Sequence, residues 1–240
     1  MQRYFTNKLE DDKFILNCDD MYHIKTVMRM KENDKIEVVF QNKVYEGIIT
    51  DNLIVKGNLL SEEFKLKEIT LIIPLLKESK MDLILQKATE LGISNIIPVK
   101  MERSIIKLNG KDFVKKQSRW QRICKEASEQ SKRTSIPKVC DIKTIEELDL
   151  QGLNIMCSTL EKQNTLKTVL KNNTNCDKIN IVVGPEGGFT KQEEEKLIKK
   201  GFIPTTLGKL IMRVETVPIY LLSILNYEME WFYVRAVITI

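Results

Sequence analysis

The stretch IVVGPEGGFT at residues 181–190 decides how the rest of the chain is read. Ile181, Val182 and Val183 form a short β-branched run suited to a strand buried on both faces. Gly184, Gly187 and Gly188 then permit a loop whose backbone takes positive φ or lets something approach closely. Thr190 is placed to cap a helix, and Glu193 completes a capping box. A strand, a glycine loop and a helix start form the arrangement that leaves ligands at the carboxyl ends of strands. The loop lacks both the GKS or GKT ending of a phosphate cradle and the GxGxxG spacing. Glu186 within it would repel an anion that the helix N-terminus attracts. A ligand with hydroxyls or a positive charge is therefore expected, against the plainer alternative of a tight turn that holds nothing.

Outward from that loop, strands and helices alternate. ITLIIPLL (69–76) reads as a strand, and ESKMDLILQKATELG (78–92) as a helix with Met81, Ile84, Leu85, Ala88 and Leu91 on one face. NIIPV (95–99), NIMCS (154–158), INIVV (179–183) and FIPTTLG (202–208) read as further strands. Helices are expected over 112–132, 164–172 and 190–200, and in the apolar IYLLSILNYEMEWF (219–232). This predicts an α/β fold over 69–240, a mostly parallel sheet with helices on both faces. Residues 1–68 differ: KIEVVF, VYEGIIT and NLIVKGNLL are short β-branched segments parted by Asn, Asp and Gly, the pattern of a small barrel or sandwich. Three loops, STLEK (158–162), GPEGG (184–188) and LGKLIMRVET (207–216), would form a pocket if their strands are neighbours.

Composition narrows the function. No apolar run reaches the ~20 residues of a membrane span, and MQRYFTNKLEDDKF has no signal-peptide core, so a cytoplasmic protein is expected. The five cysteines are widely spaced without a CxxC pair, and His23 is the one histidine. A metal site is therefore not expected, nor a Ser/His/Asp triad. The net charge is +5, but residues 100–138 hold twelve Lys/Arg against four Asp/Glu, a local +8 that leaves −3 elsewhere. Such a segment points to a polyanion such as nucleic acid, with a solvated lysine-rich helix face as the alternative. Arg119, Arg122, Lys132 and Arg133 lie on or just after the basic helix, away from its stripe of Phe113, Trp120, Ile123, Cys124 and Ala127, and are the candidate phosphate contacts.

GPEGG followed by FTKQEEE, with LGKLIMRVET, KMDLILQKATELGISNIIPVKMERS, RWQRICKEASEQSKR and HIKTVMR, resembles the SPOUT-class 16S ribosomal RNA uridine-N3 methyltransferase family, over nearly the whole chain to about residue 230. The resemblance implies a PUA-like N-terminal β-barrel for RNA, residues 1–68. It also implies a trefoil-knotted SPOUT domain, residues 69–240, with S-adenosyl-L-methionine as methyl donor, the 16S rRNA or small ribosomal subunit as partner, and a homodimer. The implied cofactor site comprises Leu160, Gly184, Pro185, Glu186, Gly187, Leu207, Gly208, Ile211, Met212 and Thr216, and Arg3, Arg29 and Arg103 join the RNA-binding candidates.

The donor has a cationic sulfonium and no phosphate, which makes Glu186 tolerable in the loop. Methylation at N3 requires loss of the uridine N3 proton, which spreads negative charge onto the flanking carbonyl oxygens. Arg213 could stabilise that charge and Glu215 could take the proton; an Arg213–Glu215 pair that only orders the loop is the alternative. No thiol adduct is needed. Leu210 stands where the family usually has arginine, Met212 replaces leucine and Val217 alanine, and Asn33-Asp34 replaces the common Gly-Asp turn. The tail FYVRAVITI (232–240) matches nothing expected. The rival functions are a catalytically silent RNA-binding or ribosome-assembly protein, and a SPOUT methylase of another RNA position.

Overall fold

The computed structural model describes residues 1–62, 67–108 and 110–238, the side chains of 110–111 and 229–238 excepted. The FYVRAVITI tail lies outside the described side chains. The chain forms two compact units. The first comprises Met1–Leu66 with Lys125–Ile136, and the second Lys67–Cys124 with Pro137–Ile240.

In the first unit, β1 (Arg3–Phe5), β2 (Leu9–Glu10), β3 (Lys13–Phe14), β4 (Lys35–Phe40), β5 (Lys43–Thr50) and β6 (Leu53–Glu62) form one sheet in the order β1-β4-β5-β6-β3-β2. β1 runs parallel to β4, and the other pairs are antiparallel. Asp11-Asp12, Gln41-Asn42 and Asp51-Asn52 all take positive φ, so each supplies the two left-handed residues of a two-residue hairpin turn. Tyr4, Phe14, Ile24, Ile36, Val38, Ile49 and Ile54 form the core. A short α-helix, α1 (Cys18–Tyr22), runs into a π-helical turn over His23–Val27, where the HIKTVMR motif begins.

The 125–136 segment is tied into this unit by charge. The buried Arg3 guanidinium pairs with Glu37 at 2.8 Å and donates to the carbonyls of Lys132 and Arg133. Lys132 Nζ lies 3.0 Å from Glu37 and also reaches the Met1 carbonyl. Arg3 and Lys132, read from sequence as RNA contacts, thus spend their charge inside the unit, and Arg133 donates to the Ser135 carbonyl.

The second unit contains β7 (Glu68–Pro74), α2 (Glu78–Glu90), β8 (Asn95–Val99), α3 (Gly110–Gln130, of which residues to 124 belong here) and β9 (Lys138–Val139). It continues with β10 (Leu153–Cys157), α4 (Leu166–Asn172), β11 (Lys178–Val182), α5 (Lys191–Lys199), β12 (Ile203–Thr205) and α6 (Thr216–Ile238). The basic helix α3 therefore begins and ends two residues earlier than expected. Its six strands are ordered β12-β10-β11-β7-β8-β9, and every pair is parallel. Leu71, Ile72 and Ile73 are consecutive and all buried. Ile72 packs in a cluster with Leu197 of α5 and Phe202, and its neighbours in β7 project to the other face, so both faces are covered. Beyond β12 the chain returns to pack α6 on α2.

Glu129 supplies a pH test of the first unit. Burial pushes its carboxyl up from 4.5 to about 7; Lys125 opposes the shift, while Asp20 and Glu126 add to it. Lys125 contacts both Asp20 and, at 3.3 Å, Glu129. Buried Tyr4, whose hydroxyl is also pushed up by burial and then by Glu129 and Asp20, faces the same cluster. An acid with a raised folded pKa binds more protons folded than unfolded, so its contribution to stability falls as pH rises from 4.5 to about 7. Glu129→Gln should therefore come closest to the unchanged protein at or below pH 4.5, gain on it as pH rises to about 7, and hold that gain at pH 8. Urea midpoints measured across that range check it; a difference that does not grow with pH overturns the assignment.

Candidate functional site

Because β12, β10, β11, β7 and β8 are consecutive and parallel, their carboxyl ends lie in a row along one edge. The loops that leave β10, β11 and β12 line a cleft of about 720 Å³, joined by Lys80 from α2 and Arg103 from the segment after β8. The loop after β10 is stapled to the segment after β12: Thr206 N donates to Asn164 O at 2.8 Å, Leu166 N to Thr206 O at 3.2 Å, and Ser158 N to Thr205 O at 3.1 Å.

The capping box at Thr190 is present, and Glu193 does more than cap. Its Oε2 accepts from Thr190 N at 2.8 Å, and its Oε1 accepts from Glu102 N at 2.8 Å. That second bond fixes the segment bearing Arg103. The Arg103 guanidinium donates to the Gly187 and Phe189 carbonyls at 2.8 and 3.0 Å. A residue read as an RNA contact therefore holds the glycine loop in shape.

The two reasons expected for the glycines fall on different positions, and what approaches closely is the protein itself. A Cβ at Gly187 would lie 3.3 Å from the Arg103 side chain, and one at Gly184 would lie 3.2 Å from the Phe189 ring. These two make room for the protein's own side chains. Gly188 and Gly208 have φ of +71° and +123° with open space beside them, so there backbone conformation is the requirement.

Nine of the ten expected cofactor residues line the cleft: Leu160, Gly184, Pro185, Glu186, Gly187, Leu207, Gly208, Ile211 and Met212. Thr216 instead opens α6 and is absent from the cleft wall. Arg213 lines the cleft with an exposed side chain, while its carbonyl accepts from Thr216 N at 2.9 Å and flanking Val214 and Val217 are buried. The alternative reading, an Arg213–Glu215 pair, is not how Glu215 is held. Among the described residues, its ion-pair partner is Lys80, with Nζ 3.3 Å from Oε2. Lys80 also pairs with Glu186 at 3.0 Å.

Partial burial opposes ionisation of Glu186, but a backbone hydrogen bond and Lys80, aided by Lys77, hold its carboxyl below the ordinary value. Cys157, a cysteine of the cleft wall, has its thiol pushed up to about 12 by burial and stays protonated. Its chemistry is that of a packed side chain rather than a nucleophile. Among the described residues no group of three or more His, Cys, Asp or Glu could hold a metal ion.

Away from the cleft, Arg119 is a bidentate partner of Asp82, at 2.8 and 2.6 Å, and also pairs with Glu78 at 3.0 Å. It binds α3 to α2. Arg122 and Arg29 are exposed, the latter at φ +51°. Sequence reasoning missed Lys80 as a site residue; its position in the first turn of the helix that follows β7 was the available signal.

Residues 62–226 match the model of an RNA methyltransferase domain, and residues 19–54 that of an RNA methyltransferase PUA domain. The chain is 32% identical to ribosomal RNA small subunit methyltransferase E of Bacillus subtilis, over 96% of this chain and 98% of that one. It is 35% identical to the protein of the same name from Mesomycoplasma hyopneumoniae, over 93% and 98%. The crystal structure of a ribosomal RNA small subunit methyltransferase E from Neisseria gonorrhoeae, bound to S-adenosyl methionine, superposes with a TM-score of 0.80 at 28% identity, covering 95% of this chain and 97% of that one.

Arg103→Ala removes both bonds that hold the glycine loop, each worth about 1 kcal/mol. Chymotrypsin should then cut after Phe189 roughly tenfold faster or more, because the loop opens more often. Gly187→Val, which displaces Arg103, should act in the same direction. Cleavage unchanged in both variants would show that Arg103 does not hold the loop.

Proposed function

Because the chain belongs to the family of ribosomal RNA small subunit methyltransferases E, we propose that it transfers a methyl group from S-adenosylmethionine to N3 of a uridine in 16S rRNA. The observation that carries the reading is the convergence of the loops after β10, β11 and β12 on one cleft bearing an exposed arginine.

The cleft suits such a donor. Leu160, Leu210 and Ile211 are 74%, 85% and 84% exposed at its lip, apolar surface that an adenine ring would cover. Gly184, Leu207, Gly208 and Met212 offer backbone groups, and no phosphate cradle is present. When bound, S-adenosylmethionine supplies an electrophilic methyl group. The chain's part is to orient the uracil, exclude water, and stabilise the negative charge left when N3 loses its proton. Arg213, rooted by buried Val214 and Val217 and free to extend into the cleft, is the cation for that charge. Glu215, two residues on, stands as the acceptor of the proton or as a fixed neighbour of Lys80. Arg29, which is exposed, remains an RNA-facing candidate of the original set.

The same reading includes a homodimer, supported by α6, whose Tyr220 and Tyr227 are 40% and 72% exposed. It also includes the knotted path implied by the resemblance, for which the return from β12 to α2 is the relevant segment. Among the described residues no helix is long and apolar enough to cross a membrane, in keeping with work on ribosomal RNA in the cytoplasm.

Incubation with small ribosomal subunits and methyl-labelled donor, followed by nucleoside mass spectrometry, should yield N3-methyluridine. Donor binding without transfer would favour the silent RNA-binding alternative, and label at another nucleotide would move the target. Arg213→Ala should lower kcat about a hundredfold with donor Kd nearly unchanged. An equal loss in donor affinity would place Arg213 on the cofactor instead.

A further inference from the structure

Lys80 lies in the first turn of α2, where the helix dipole disfavours a cation. Helix stability therefore does not account for it. Its surroundings do: Glu186 Oε1 is 3.0 Å from Nζ and Glu215 Oε2 is 3.3 Å away. The two carboxylates come from different loops, one after β11 and one after β12, and β10 lies between those strands. Sheet pairing consequently does not join them. Brought to one place without a cation, they would repel each other. The side chains of Lys80 and Glu186 are 29% and 30% exposed and that of Glu215 16%, so the cluster is only partly screened by water.

The geometry assigns Lys80 as a positioning residue for the transfer reaction: its ammonium locks the 184–189 and 209–216 loops together through Glu186, which lines the cleft, and Glu215, which does not. The assignment rests on the methyltransferase reading above. Lys80 needs no contact with the reacting atoms; it acts through Glu186, on the glycine loop, and through Glu215, beside Arg213. Misplacing either loop by about 1 Å is enough to cost as much as a hundredfold in rate. The ion pair also opposes protonation of Glu186, so the clamp and the charge of the loop reinforce each other.

The test is a double-mutant cycle on methyl transfer to small subunits, with Lys80→Met, Glu215→Gln and the pair together. Lys80→Met should lower kcat roughly 10- to 100-fold, with a smaller change in KM for the RNA. Lys80→Arg, which can also bridge two carboxylates, should recover most of the loss. In the Glu215→Gln background, Lys80→Met should add less than about threefold, because the two act as a unit. Unchanged kcat in Lys80→Met, or losses that simply multiply, would overturn the assignment. Should the unaltered protein transfer no methyl group, the methyltransferase reading falls on its own. Lys80 is then judged by amide hydrogen exchange: joint acceleration of both loops in Lys80→Met upholds the clamp, and unchanged exchange overturns it.

Discussion

Parallel pairing throughout the second unit is the constraint from which its site follows. In a parallel sheet every strand ends on the same side, so each return to the sheet needs a crossover, here helical except between β9 and β10, and each exit deposits a loop at one edge. β11 is central to this arrangement, hydrogen-bonded to β10 on one side and β7 on the other. Its buried side chains on both faces exclude water from the ladder, and its exit is the glycine loop. With β12 beyond β10, and β8 beyond β7, five exits lie consecutively. A lysine after β7, an arginine after β8 and three loops meet at one cleft because of strand order alone.

That order explains what could be read from residues and what could not. β-branched runs parted by Asn and Asp announced the hairpins, since left-handed turn residues are a local requirement. Alternating strands and helices announced the parallel sheet. The capping box at Thr190 and Glu193 was likewise local, and it is present. Strand order is not local: no periodicity tells that β12 pairs with β10 or that β7 lies beside β11. Lys80 and Glu186, 106 residues apart, could therefore not be matched in advance.

Charge was the least legible property. A run of Lys and Arg between 100 and 138 reads as a surface for a polyanion, but a charged side chain is defined by its partner. Arg119 found Asp82 and Glu78, Arg3 found Glu37 and two carbonyls, and Arg103 found the carbonyls of the glycine loop. Local charge counts see none of these partners. The partner of Glu215 was hidden for the same reason: its cation, Lys80, arrives from another element, whose position depends on the sheet.

The stitching of 125–136 to the first unit also sets a schedule for the growing chain. The hairpins β4-β5 and β5-β6 close over short distances and can pair as soon as they are made. Arg3, however, needs carbonyls at Lys132 and Arg133, some 130 residues later. On a ribosome, the amino-terminal sheet is synthesised first but cannot be finished until more than half of the polypeptide has emerged. By then β7, α2 and β8 are already available, so part of the second unit is made before the first can be finished. Glu37, 2.8 Å from Arg3 in the finished sheet, is the partner within reach while the later carbonyls are awaited.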